Sequence, residues 1–123
     1  MDERQALDAF TALGQETRLR IVRLLVQAGP EGIAAGAISE AVGASASTAS
    51  FHLAHLERAG LIASRREARS IIYSAAYDGL SGLVRFLMAD CCAGRPEVCA
   101  PVLASLAARC NPNEVVHDRT EHA

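Results

Sequence analysis

Four cysteines stand in the last third of this chain, Cys91, Cys92, Cys99 and Cys110, and no other side chains are better equipped for chemistry. A thiolate is a nucleophile and a soft ligand, so clustered thiols outside an oxidising compartment point to metal or redox work rather than to structural disulfides. The run Cys91-Cys92-Ala93-Gly94-Arg95-Pro96-Glu97-Val98-Cys99 is suited to convergence. Gly94 can end a helix and Pro96 can open the next, which puts Cys99 in the first turn of a final helix folded back beside the vicinal pair. Adjacent residues of a regular helix point roughly 100° apart, so Cys91 and Cys92 can share a ligand only in a fraying last turn. Three thiolates without a fourth ligand suit trivalent arsenic, As(III), or antimony, whose lone pair fills the remaining vertex of a pyramid, whereas structural zinc prefers four ligands. Cys110 could replace Cys99 or complete a four-sulfur set for zinc, cadmium or lead, and two thiols could instead cross-link as a redox or persulfide sensor.

A second constellation is polar and basic. Between Ala44 and Ser74 lie four arginines (Arg58, Arg65, Arg66, Arg69) against two acids (Glu57, Glu67), with His52 and His55 besides, although the whole chain carries a formal charge of −2. From Ala75 onward four arginines face six acids, a balance that repels phosphate. All 12 basic side chains are Arg, which suits bidentate phosphate contacts but is explained more simply by codon bias in an Ala- and Arg-rich genome.

The elements that must position these groups follow from periodicity and punctuation. Leu7, Phe10 and Leu13 place a short amphipathic helix over 4–13, stopped by Gly14. Leu19, Ile21, Val22, Leu24 and Leu25 among arginines give a second helix over 16–28, ended by Gly29-Pro30, and Ala35 to Val42 form a shorter third, closed by Gly43. Ser45 then caps a fourth, Ala46 to Arg58, that buries Ala49, Leu53 and Leu56 and turns Ser47, Ser50 and His52 elsewhere, with His55 a further candidate for that side. Two helices joined by a Gly-Ala-Ser turn, the second opening on small hydroxyl residues, match the helix-turn-helix plan for entering the major groove. Leu61 to Ser74 reads as a β-hairpin with Arg65, Arg66 and Arg69 at and around its tip, a wing for a neighbouring phosphate or minor groove. Ser45, Ser47, Thr48, Ser50 and His52 are thus the DNA-facing set on the helix, and the three wing arginines are the phosphate set.

At this point the chain resembles the ArsR/SmtB group of bacterial repressors. Leu13-Gly14-Gln15-Glu16-Thr17-Arg18-Leu19-Arg20-Ile21-Val22-Arg23-Leu24-Leu25 looks like that family's second helix, and Ser45 through Ile62 is similar to its recognition helix and the start of its wing. The resemblance covers roughly residues 5–90. It implies a winged helix-turn-helix fold, mainly α with a β-hairpin wing, and a homodimer built on the first and fifth helices that represses by occupying a double-stranded operator. The apolar stripe Leu80, Leu83, Val84, Leu87, Met88 within 77–92 asks independently for a partner. The family's Cys-x-Cys site on the third helix is absent, since 35–40 hold no cysteine. Its zinc site on the fifth helix finds only Asp78 and Asp90 here, with no His, and His117 and His122 of the polar tail stay unassigned. One arsenic-responsive branch carries a vicinal Cys pair at the end of the fifth helix and a third Cys shortly after. That pattern falls on Cys91, Cys92 and Cys99, with a slightly different loop length.

The expected organisation is a DNA-binding and dimerisation domain over 1–95, then a C-terminal helix and tail over 96–123. A length of 123 residues fits one core. No apolar run approaches the ~20 residues of a membrane span, and the acidic start Met1-Asp2-Glu3-Arg4 is unlike a secretory signal, so a cytoplasmic protein without membrane association is expected. The competing class is an arsenite-handling enzyme or metallochaperone carrying a winged domain. No phosphate-binding Gly loop, catalytic Ser/His/Asp set or dinucleotide fingerprint supports it, and the expectation is that the chain is not an enzyme.

Overall fold

Three helices begin where a side chain accepts the N–H groups that a first turn leaves unpaired. The computed structural model describes residues 1–89, 100–102, 104 and 105. Helix α1 (Glu3–Leu13) opens with a capping box, in which Asp2 Oδ1 accepts from the Gln5 amide and Gln5 Oε1 accepts from the Asp2 amide, each at 2.8 Å. Gln15 caps α2 (Glu16–Ala28) through the Arg18 amide, again at 2.8 Å. After the two-residue strand β1 (Ile33–Ala34), α3 (Ala35–Val42) closes on Gly43, left-handed at φ 68°. Ser45 caps α4 (Ala46–Arg58), and strands β2 (Ile62–Glu67) and β3 (Ser70–Ala75) lead into α5 (Tyr77–Met88).

The chain divides into two compact units, Met1–Phe86 and Leu87–Ala123. The first is mainly helical with an antiparallel three-stranded sheet in the order β1-β3-β2. Ile33 pairs with Tyr73, and the hairpin runs from Ile62 opposite Ala75 to Glu67 opposite Ser70. Two residues are too few to leave a pattern, so β1 was not legible in the sequence. It rests on Gly32, at φ 76°, where a Cβ would collide with the Tyr73 carbonyl. The core joins Ile21 and Leu25 of α2, Ile38 of α3, Leu53 and Leu56 of α4, and Leu61. In the second unit, residues 100–102, 104 and 105 are helical and exposed. No helix among the described residues is long and apolar enough to cross a membrane.

Helix α1 packs differently from the expectation. Its core face is the alanine stripe Ala6, Ala9 and Ala12, while Leu7 and Phe10 remain 52% and 40% exposed. Small side chains three apart let one helix lie close to its neighbours, and the larger apolar groups then fall on the outer side. On α5, Leu83 is buried and Leu80 and Phe86 pack on the core, but Val84 stays exposed. The start of α1 lies near α5, because Met1 stands beside Gly82.

Gly79 sets the seat of α5. A Cβ there would run into the carbonyl oxygen of Gly60, at the end of the recognition segment, whereas one on Gly82 would meet only the flexible Met1 side chain at 3.6 Å. Alanine gains ~1 kcal/mol over glycine in helix propensity, but overpacking against fixed backbone costs typically about 1–3 kcal/mol. Gly79→Ala is therefore expected to lower the thermal midpoint and Gly82→Ala to raise it, as read by circular dichroism. A rise in both would contradict this seating of α5.

Candidate nucleic-acid interface

The turn between α3 and α4 is held by its own short polar side chains. Ser39 Oγ donates to the Ala44 carbonyl at 2.6 Å, and the Ala44 amide donates back to the Ser39 carbonyl at 3.1 Å. Ser45 Oγ accepts from the Thr48 amide at 3.2 Å and donates to Thr48 Oγ1 at 2.9 Å, with Ser47 Oγ at 3.4 Å. These exposed hydroxyls cluster around the positive end of the α4 dipole, where unpaired amides favour an anion. Along the outer face of α4, Ser47, Ser50, Phe51 and Ala54 are all exposed.

His52 does not belong to that face. It is only 8% exposed and joins Ala49, Leu53 and Leu56 on the buried stripe. At 100° per residue, positions 49, 52, 53 and 56 share one side of a helix. Its expected place in the DNA-facing set was assigned by polarity, where its angular position decides. The exposed neighbour that this reading missed is Phe51, signalled by its i+4 spacing from Ser47.

The His52 imidazole instead completes a buried bridge. The Arg18 guanidinium donates through Nε to the Ala12 carbonyl at 2.7 Å and through Nη1 to His52 Nδ1 at 3.2 Å. Arginine has no acceptor, so Nδ1 must be the bare nitrogen and the ring neutral. Burial, and then the Arg18 charge, lower the His52 pKa from its ordinary value. Burial, Arg18, Arg58 and His52 lower that of His55.

The wing is tied to α4 and to the body. Ser64 Oγ donates to Glu57 Oε2 at 2.8 Å, linking β2 to the end of α4. Burial and the Glu57 charge raise the pKa of Tyr73, which pairs with Ser64 across the hairpin. Arg65 donates to Glu67 Oε2 at 2.7 Å and to the Glu31 carbonyl at 2.6 Å, so much of its guanidinium braces the hairpin against the 30–31 loop. Arg66 and Arg69 are exposed nearer the tip and form no ion pair with the described residues. Cys91, Cys92, Cys99 and Cys110 lie outside the described residues, as do His117 and His122. Among the described residues no group of three or more His, Cys, Asp or Glu stands close enough to hold a metal ion.

The bridge has a pH signature. The unfolded chain protonates its histidines below about 6.5, whereas folded His52 resists the proton. Stability from this group is therefore full above that value and is lost as pH falls towards the lowered folded pKa. Asparagine can present Oδ1 near the place of Nδ1 without titrating. Between about pH 7.5 and about 5.5 the thermal midpoint of His52→Asn should fall less steeply than that of the parent, His55 supplying a residual slope. Equal slopes would contradict the bridge.

Residues 13–65, from the end of α1 to the first half of the wing, match the Helix-turn-helix domain family. The HTH-type transcriptional regulator YgaV of Escherichia coli is 35% identical over 83 residues, spanning 68% of this chain and 82% of that protein. The homodimeric winged helix-turn-helix DNA-binding domain from Mycobacterium bovis, described as "a possible ArsR-family transcriptional regulator", superposes with a TM-score of 0.58 at 32% identity, over 69% of this chain and 77% of that one. A protein described as a "possible transcriptional regulator for arsenical resistance" does so with a TM-score of 0.57 at 30% identity, over 65% of this chain and 80% of that one. The family match takes in the turn and the recognition helix, and the chain belongs to the ArsR family of winged helix-turn-helix transcriptional regulators.

Proposed function

We propose that the chain is a repressor that occupies operator DNA as a homodimer and is released when trivalent arsenic binds the thiolates of Cys91, Cys92 and Cys99. The observation that carries the DNA reading is the exposed hydroxyl face at the start of α4, set beside a wing whose Arg66 and Arg69 are free of ion pairs with the described residues. Ser47, Thr48 and Ser50 then read base edges, and the wing arginines and the α4 N-terminus hold phosphates.

The homodimer is supported by the outer face of α1 and α5, where Leu7, Phe10 and Val84 stay exposed, and by the homodimeric Mycobacterium bovis relative. One recognition helix covers only a few base pairs, so two half-sites one helical turn apart supply affinity and specificity.

The ligand reading rests on the donor set. Every cysteine of the chain follows α5, the first of them three residues beyond Met88. Thiolates are soft, and three of them match the three-coordinate demand of As(III). The relative connected by its description with arsenical resistance is consistent with this choice. Metalloid binding beyond α5 would rearrange the paired fifth helices, and the recognition helices would lose their one-turn spacing.

Fluorescence anisotropy of the reduced full chain with its own upstream promoter DNA tests both parts. Tight binding without arsenite is expected, weakened by arsenite about 5- to 150-fold, the range of ordinary allosteric coupling. The Cys91→Ser, Cys92→Ser double variant should bind the same DNA and keep it when arsenite is added. Release of that variant by arsenite would remove the metalloid site. Release of the parent by cadmium, lead or an oxidant, with arsenite inert, would replace the ligand and leave the repressor.

A further inference from the structure

Phe51 is 62% exposed, more than any other large apolar side chain among the described residues. The hydrophobic core does not use it, because the buried stripe of α4 runs through Ala49, His52, Leu53 and Leu56. It stands on the outer face, flanked by Ser47, Ser50 and Ala54, one turn or less away along the helix. Leaving a phenyl ring in water forgoes the favourable burial of a large apolar surface. A partner that covers this face would recover it.

The identity of that partner follows from where the ring sits. In this fold the outer face of α4 enters the major groove. A phenyl ring has no hydrogen-bonding group, so it cannot join the donor and acceptor code of the base edges. The groove wall of unmodified DNA presents one apolar group, the C5 methyl of thymine. Ser47, Ser50 and Ala54 are short, so Phe51 projects beyond them on this face. The ring is also backed from below: its centroid lies 5.6 Å from that of His52, edge to face at 68°. His52 is in turn held by Arg18. The buried imidazole thus gives the exposed ring a packing partner on its inner side.

We infer that Phe51 is a specificity-determining residue that packs on the C5 methyl of a thymine in each half-site. This rests on the operator-binding reading above and adds to it a base identity. The neighbouring hydroxyls contribute hydrogen bonds that several bases can satisfy. Phe51 contributes a preference for T·A over the same pair without its methyl.

The test removes only that methyl. Each thymine of the footprinted operator is replaced in turn by deoxyuridine, which keeps every hydrogen-bonding group, and the full chain is titrated by anisotropy at fixed salt. A buried methyl-sized group is worth roughly 0.8 kcal/mol, so one thymine per half-site should show about a fourfold loss on substitution, and about sixteenfold when both half-sites are changed. Other thymines should show none. Phe51→Ala, at an exposed position, should bind the thymine and deoxyuridine operators equally. A flat deoxyuridine scan with tightly bound parent DNA would overturn the inference while leaving DNA binding intact, as would an unchanged methyl preference in Phe51→Ala. Failure to bind any promoter DNA would overturn the operator-binding reading itself, and this inference with it.

Discussion

The guanidinium of Arg18 is buried with its charge, and the setting of α4 against α1 and α2 depends on how that charge is accommodated. Among the described residues no carboxylate pairs with it. The Ala12 carbonyl at the end of α1 and the neutral Nδ1 of His52 on α4 accept its protons instead. Burying an ion without partners is prohibitive, and hydrogen bonds to a charged donor are among the stronger ones. The arrangement fastens three helices to one group: α1 by its last turn, α2 as the carrier of Arg18, and α4 through the residue next to Phe51. The angular setting of the recognition helix is therefore a consequence of an interaction that never meets solvent. Protonating His52 would set two cations 3.2 Å apart and turn the acceptor into a donor, which is why burial and Arg18 both hold its pKa down.

From that anchored helix the remaining parts are placed by short links. Glu57, near the end of α4, accepts from Ser64 and so joins the start of the wing to the recognition helix. Arg65 ties the same strand to the loop ahead of β1. Gly79 lets α5 close directly on the Gly60 backbone at the end of α4. At this contact backbone meets backbone, with no side chain of Gly79 between.

Much of this was legible in the sequence, for reasons that can be named. Ser45, followed by Ala49, Leu53 and Leu56 and then Gly60, states a cap, an apolar stripe and a stop, and α4 spans 46–58 as those signals require. The hairpin was readable because β-prone residues flank a charged turn. His52 was misplaced because polarity was weighed above helical angle, and the buried arginine that accepts a polar partner there lies 34 residues away, beyond any local pattern. In α1 the larger residues Leu7 and Phe10 drew attention from the alanines, which are the ones that pack. The bracing of Arg65 by the 30–31 loop is a tertiary contact with no local signature. The cysteine site remains a reading of residue types and spacing.

On the proposed reading, the outer face of α4 and the tip of the wing meet DNA. Backbone amide chemical shifts of the 13.0 kDa chain, followed by NMR as operator DNA is added, test it most directly. The largest changes are expected at Ser45, Ser47, Thr48, Ser50, Phe51, Arg66 and Arg69, with the outer surface of α2 at Leu19, Arg23 and Gln27 undisturbed. Changes concentrated in the cleft between α2 and α3, around Leu19, Arg23 and Val42, with the start of α4 unmoved, would contradict it.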